Sequence, residues 1–147
     1  MDGLSGGDIF KLVSKLSRKT QMYLNEELKP FGLTSGQMPF LMITCEKESM
    51  PQNKFCEILD MDKSTVAKML AKLEDEGLVV RRPNQNDSRA ANVLPTKKAF
   101  SLYPALKQIG EKWAGLLSAG LTQVEADIFF ELLQKVTKNA VDHFSIT

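Results

Sequence analysis

Apolar side chains along the chain recur first at the spacing of a helix. Ile9, Leu12, Val13, Leu16, Tyr23, Leu24 and Leu28 fall on one face, with Lys11, Lys15, Arg18 and Lys19 between them, and Pro30 and Gly32 end the run. Thr34 followed by Gln37 has the form of a capping box, so a second helix is expected from Ser35 with Met38, Leu41, Met42 and Cys45 turned inward. Pro51 opens a third, short helix carrying Phe55, Ile58 and Leu59, and Asp60 and Met61 make a turn. Asp62 is the N-cap of a fourth helix whose buried stripe is Val66, Met69, Leu70 and Leu73, and Gly77 stops it.

The pattern then changes period. Leu78 to Arg82 and Ala90 to Leu94 read as two strands, joined by the turn formers Pro83 to Ser88, a connection long enough to project. Thr96 caps a fifth helix with Leu102, Leu106, Ile109, Trp113 and Leu116 along one side. Pro104 falls inside it, which predicts a kink or a helix proper beginning nearer Ala105. A second capping box, Thr122 with Glu125, opens a last amphipathic helix through Ile128, Phe129, Leu132, Leu133, Val136, Ala140 and Phe144 to Ile146. The expected fold class is mainly α with a small β-hairpin wing, that is, a winged helix-turn-helix domain plus N- and C-terminal dimerisation helices. Its expected boundaries are 1–32 for the N-terminal helix, 33–95 for the winged domain and 96–147 for the C-terminal helices.

The polar face of the fourth helix points to DNA. A helix about 10–12 Å across fits the major groove, and its first turns present side chains to base edges. Those turns here hold Lys63, Ser64, Thr65 and Lys68, with Lys72 further along, and the small Ala67 and Ala71 allow close approach. The projecting loop adds Arg89 beside Asp87, and its base carries Arg81 and Arg82; a carboxylate at Asp87 is placed to hold the arginine fork. Taken singly, each of these reads equally as a solvated helix face, a surface ion pair or local support for a helix N-terminus. Their order along the chain distinguishes them: cap, polar first turn, apolar stripe, glycine stop, strand, arginine-bearing turn, strand.

Charge sharpens this only a little. The whole chain carries a formal +1, but Asp62 to Lys98 holds eight basic against five acidic side chains, an excess of three, which leaves −2 for the rest. Cys45 and Cys56 lack CxxC spacing and His143 is the single histidine, so no metal site and no cofactor is expected. Both cysteines sit among apolar neighbours, where a small buried thiol is the usual finding and a redox sensor the alternative. No glycine-rich phosphate loop, nucleophile elbow or ligand cluster supports an enzyme. With no membrane-length apolar run and no secretory signal at the N-terminus, a cytoplasmic location is expected.

These motifs together resemble the MarR family of bacterial and archaeal transcriptional regulators over nearly the whole chain. Leu33, Thr34 and Gln37 match the family's Leu-Thr-x-x-Gln helix opening. Leu73, Glu74, Gly77, Leu78 and Val79 match the close of its recognition helix, and Asp87 and Arg89 match its Asp-x-Arg wing motif. Pro95 and Ala99 depart from the Leu-Thr-x-x-Gly stretch that often follows the wing, and no cysteine stands near the start of the first helix, where oxidation-sensing relatives carry one. The resemblance implies a homodimer built from the first, fifth and sixth helices, reading a palindromic double-stranded DNA site. It places Lys63, Ser64, Thr65 and Lys68 at bases and phosphates and Arg89 at the wing tip. It also implies a repressor released by a small apolar or phenolic effector; Tyr23, Met38, Met42 and Trp113, at the junction of helices one, two and five, are candidate liners. The alternative reading is a winged helix used for protein contacts without DNA binding.

Overall fold

Each helix in the structure, a computed structural model that describes residues 5–87 and 89–145, begins and ends where local chemistry dictates. Ser88 in the turn and Ile146 at the end of the last apolar stripe lie outside the described residues. Helix α1 spans Gly6–Leu28, with the Ser5 hydroxyl accepting the Asp8 N–H at 3.1 Å. A 3₁₀ turn at Lys29–Phe31 follows and the chain leaves through Gly32 at φ 71°, a backbone shape that glycine adopts without strain.

Helix α2 spans Met38–Lys47, three residues later than the capping box predicts. Only half of that box forms. The Thr34 N–H donates to Gln37 Oε1 at 2.9 Å, but the Gln37 N–H goes to the Thr34 carbonyl at 3.1 Å instead of the hydroxyl, which closes a turn ahead of the helix. Strand β1 is the dipeptide Met50–Pro51, and helices α3 (Gln52–Leu59) and α4 (Lys63–Asp75) follow. Between them Asp60 takes φ 53°, and the Met61 N–H closes on the Cys56 carbonyl at 3.1 Å.

Helix α4 ends in a Schellman motif. The N–H of Leu78 reaches the Leu73 carbonyl at 2.9 Å, that of Gly77 reaches Glu74 at 3.0 Å, and Gly77 takes φ 74°. Strands β2 (Val79–Pro83) and β3 (Ala91–Pro95) pair antiparallel, and β1 adds to the far edge of β3. The sheet is therefore three-stranded where the sequence predicts two strands. Val93 stands opposite both Met50 and Arg81 and is fully buried.

Helix α5 spans Lys97–Leu117 and runs through Pro104 without interruption, so the start near Ala105 does not occur. Thr96 fixes the true start, its hydroxyl oxygen accepting the Ala99 N–H at 3.2 Å. Pro104 removes one donor from the Phe100 carbonyl, and both residues are exposed. Phe40 and Phe55 stack with centroids 5.5 Å apart at the centre of a core that includes Leu28, Leu41, Val66, Leu70, Leu73, Val79 and Leu106. Each such side chain stabilises the fold by about 1.5–3 kcal/mol relative to exposure.

By internal contacts the chain forms two compact units, one ending at Trp113 and one starting at Ala114. The second holds the last turn of α5 and helix α6 (Gln123–Ser145). Its capping box is complete: the Thr122 N–H donates to Glu125 Oε1 at 2.9 Å and the Glu125 N–H to Thr122 Oγ1 at 3.1 Å. No residue of α6 is buried, and Phe129, Leu132 and Val136 are 50%, 51% and 62% exposed. None of the helices among the described residues is long and apolar enough to cross a membrane.

Candidate nucleic-acid interface

Helix α4 divides its surface cleanly. Val66, Leu70 and Leu73 are fully buried, whereas Lys63, Ser64, Thr65, Lys68 and Lys72 are all exposed. Ala67 and Ala71 lie half-buried between the two faces. The apolar stripe anchors the helix to the core and leaves the polar stripe free over its whole length.

The N-terminus of α4 is held by Asp62, which accepts the Thr65 N–H at 2.7 Å and the Thr65 hydroxyl at 3.0 Å. The main-chain hydrogen bond, followed by the hydroxyl, holds the Asp62 carboxyl below the usual carboxylate range, so it is ionised at neutral pH and complements the helix dipole. Thr65 thereby commits its hydroxyl proton to the cap. What it offers outward is its methyl group and oxygen lone pairs.

Side-chain turns shape the described residues between β2 and β3. Asn84 Oδ1 accepts the Asn86 N–H at 2.8 Å, and its amide donates to Asn92 Oδ1 at 3.0 Å. Asp87 Oδ1 accepts the main-chain N–H of Arg89 at 2.9 Å. Asp87 thus shapes the backbone that carries Arg89, a different role from the guanidinium clamp the sequence predicts. Arg89 and Arg82 are exposed. Arg81 is engaged elsewhere: its Nη2 and Nε reach Glu74 Oε1 at 3.0 and 3.2 Å and its N–H reaches Oε2 at 3.0 Å. Its place at the base of the wing therefore serves the fold.

Lys63, Asp87 and Arg89 meet around a cleft of about 390 Å³ that Gln52, Asn53 and Cys56 of α3 complete. Sequence reasoning missed Gln52 and Asn53. The signal for them is two polar residues in the first turn after Pro51, on the helix that precedes α4. Cys45 is buried, and that burial, with the nearby Glu46 carboxylate, pushes its thiol pKa up, away from reactivity. Among the described residues no three His, Cys, Asp or Glu side chains gather as a metal site.

The four candidate effector residues separate into a pair and two core members. Tyr23 and Trp113 stack with centroids 4.6 Å apart, and Trp113 Nε1 donates to Thr20 Oγ1 at 3.0 Å. Met38 is buried in the core and Met42 packs half-buried against it.

Comparison with known proteins agrees with this geometry. The MarR family model matches residues 31–90, from the end of α1 to the wing. HTH-type transcriptional regulator YybA of Bacillus subtilis, itself uncharacterised, is 30% identical over 132 residues, covering 90% of this chain and 88% of that protein. A MarR transcriptional regulator of Methanosarcina mazei superposes with a TM-score of 0.84 at 31% identity, over 91% of this chain and 96% of its own. A MarR family regulator of Listeria monocytogenes, solved in complex with a 26mer DNA, superposes with a TM-score of 0.87 at 26% identity, over 97% and 92% of the two chains. This chain belongs to the MarR family and is a DNA-binding regulator of transcription, not an enzyme.

Proposed function

We propose that the protein is a homodimeric, cytoplasmic repressor that reads a palindromic duplex with α4 in the major groove and the β2–β3 wing on the flanking backbone. The division of α4 into a fully buried apolar stripe and a fully exposed polar one carries this reading. Lys63, Ser64, Thr65 and Lys68 supply contacts to bases and phosphates, Lys72 lies one turn beyond Lys68, and Arg82 and Arg89 bring the wing's positive charge. In this arrangement 1–32 and 96–147 are the dimerisation segments around a reading domain at 33–95. The exposed apolar stripes that α1 and α6 each carry support a second copy as the cover.

Repression follows from occupancy, because a dimer spanning two half-sites one helical turn apart excludes other proteins from that stretch. Release by a small apolar or phenolic molecule is proposed at the Tyr23–Trp113 stack, with Met38 and Met42 of α2 as further liners, where an inserted ring would part α1 from α5. Selecting duplexes from a random pool at stated salt, then measuring their affinity, tests the reading. The expected product is an inverted repeat that wild type prefers over other duplexes, a preference that Lys68→Ala reduces. Enrichment of no sequence, or equal binding by Lys68→Ala, overturns it in favour of a protein-contact module.

A further inference from the structure

Among the described residues two polar side chains are buried, Thr44 and Gln37, and Gln37 joins the start of α2 to the end of α4. At 1% exposure its Oε1 accepts the Thr34 N–H at 2.9 Å, and its Nε2 donates to Glu76 Oε2 at 2.8 Å. The orientation of the amide is forced. Turned over, it would set an NH₂ against the Thr34 N–H and a carbonyl against the Glu76 carboxylate, two repulsive contacts in place of two bonds. Glu76 is the C-cap of α4, and its main-chain carbonyl also accepts the Lys98 ammonium at 3.1 Å.

We propose that Gln37 is a positioning residue for sequence recognition: its bridge to Glu76 sets the pitch of α4 on the winged domain and so the register of Lys63 to Lys68 against base edges. The inference rests on α4 being the helix that enters the groove. Apolar burial by Val66, Leu70 and Leu73 is non-directional and tolerates a small rocking of the helix. The bridge does not tolerate it, because a charge-assisted hydrogen bond weakens steeply with distance and angle; the Glu74–Arg81 contact ties the same end of α4 to β2, and the bridge ties it to the start of α2. Glu76 lies thirteen residues from Lys63, about 20 Å along the axis, so a tilt of about 5° at the fixed end moves the reading end by about 1.7 Å. That displacement breaks a bidentate base contact, whereas long lysine and arginine side chains follow a phosphate over the same distance. Loss of the bridge therefore lowers discrimination before it lowers attraction to DNA.

The readout is the ratio of affinities for the duplex that wild type selects from a random pool and for an unselected duplex of equal length, at one salt concentration. Gln37→Met keeps length and removes both bonds. Glu76→Met removes the acceptor from the half-buried side and leaves the buried amide in place. Both are expected to lower the ratio roughly tenfold through the selected duplex, with affinity for the unselected one changed by less than about twofold. The exchange pair Gln37→Glu with Glu76→Gln reverses donor and acceptor and preserves both bonds, and it is expected to restore the ratio. A wild-type ratio in either truncation, an equal fall on both duplexes, or an exchange pair no better than the truncations overturns the proposal. Lys68→Ala in the same series separates the two levels: if it too retains the wild-type ratio, the assignment of α4 fails and this inference with it.

Discussion

Glu74, the penultimate residue of α4, takes the main-chain N–H and the guanidinium of Arg81 in β2 on the two oxygens of one carboxylate. This contact links the reading helix to the first strand of the wing. The Arg81 guanidinium, with its N–H adding, holds the Glu74 carboxyl below the usual carboxylate range against the opposing effect of burial.

Removing that carboxylate with Glu74→Ala is expected to cost about 1 kcal/mol, since more than a third of the Glu74 side chain remains in water. The pH dependence follows from the direction of the shift. A carboxyl whose folded pKa is depressed binds fewer protons folded than unfolded in the interval between the two values, so its stabilisation is complete above the unfolded value and is lost as pH falls through the folded one. Denaturant titrations at about pH 7 and about pH 4 should show wild type losing more stability than Glu74→Gln over that interval. Equal losses would remove the pair from the list of stabilising contacts.

The wing and the reading helix should separate in salt titrations. Arg89→Ala is expected to weaken binding to all duplexes and to lower the slope of log affinity against log salt by about 1, as one phosphate contact is lost. Lys68→Ala is expected to reduce the preference for the selected duplex as well, by about 1–3 kcal/mol at the affected base pair. Fluorescence anisotropy at several salt concentrations checks both. An unchanged slope for Arg89→Ala would move that side chain away from the backbone.

What could be read from the sequence follows the range of each interaction. Asp62 and the Thr122–Glu125 pair cap their helices as expected because the partner lies three residues away and nothing else competes for it. Thr34 and Gln37 have the same spacing, yet the Gln37 main-chain N–H goes to the Thr34 carbonyl, so only half of the local box forms, and the side-chain amide nitrogen bridges to Glu76, thirty-nine residues on. Strand β1 is two residues long and exists by its pairing with Val93 and Asn92, so its own sequence carries no period to detect. The candidate site is legible as an order of residue types. That Asp87 would spend its carboxylate on the Arg89 main chain, and Arg81 its guanidinium on Glu74, depends on geometry that spacing does not carry.

Pro104 gives a prediction against its usual effect. It lies in the interior of α5, exposed, with the Phe100 carbonyl missing its intrahelical donor. Pro104→Ala restores that donor and removes the ring, and the gain is partly offset by a freer unfolded chain, for a net stabilisation of about 1–2 kcal/mol. At this chain length the melting temperature should rise by about 2–4 °C per kcal/mol. A fall would show that the ring makes a contact in the assembled protein that alanine cannot replace.

The stripe Phe129, Leu132, Leu133 and Val136 repeats at i, i+3, i+4 and i+7 on α6, each residue between 43% and 62% exposed. Such a face is stable in water only when covered, and a standard interface burying about 1,600 Å² is large enough to hold two protomers together. Leu132→Glu places a charge in the middle of it. Sedimentation at micromolar concentration should show wild type as a dimer and the variant as a monomer, and the wild-type melting temperature should rise with concentration where that of the variant does not. Since two reading heads joined in one particle gain about 10²–10⁴ in affinity over one, the variant should lose at least about a hundredfold on a palindromic duplex and almost nothing on an isolated half-site. A monomeric wild type, or a variant that remains dimeric with α6 charged, would put the dimer interface on another face and free this one for a different occupant.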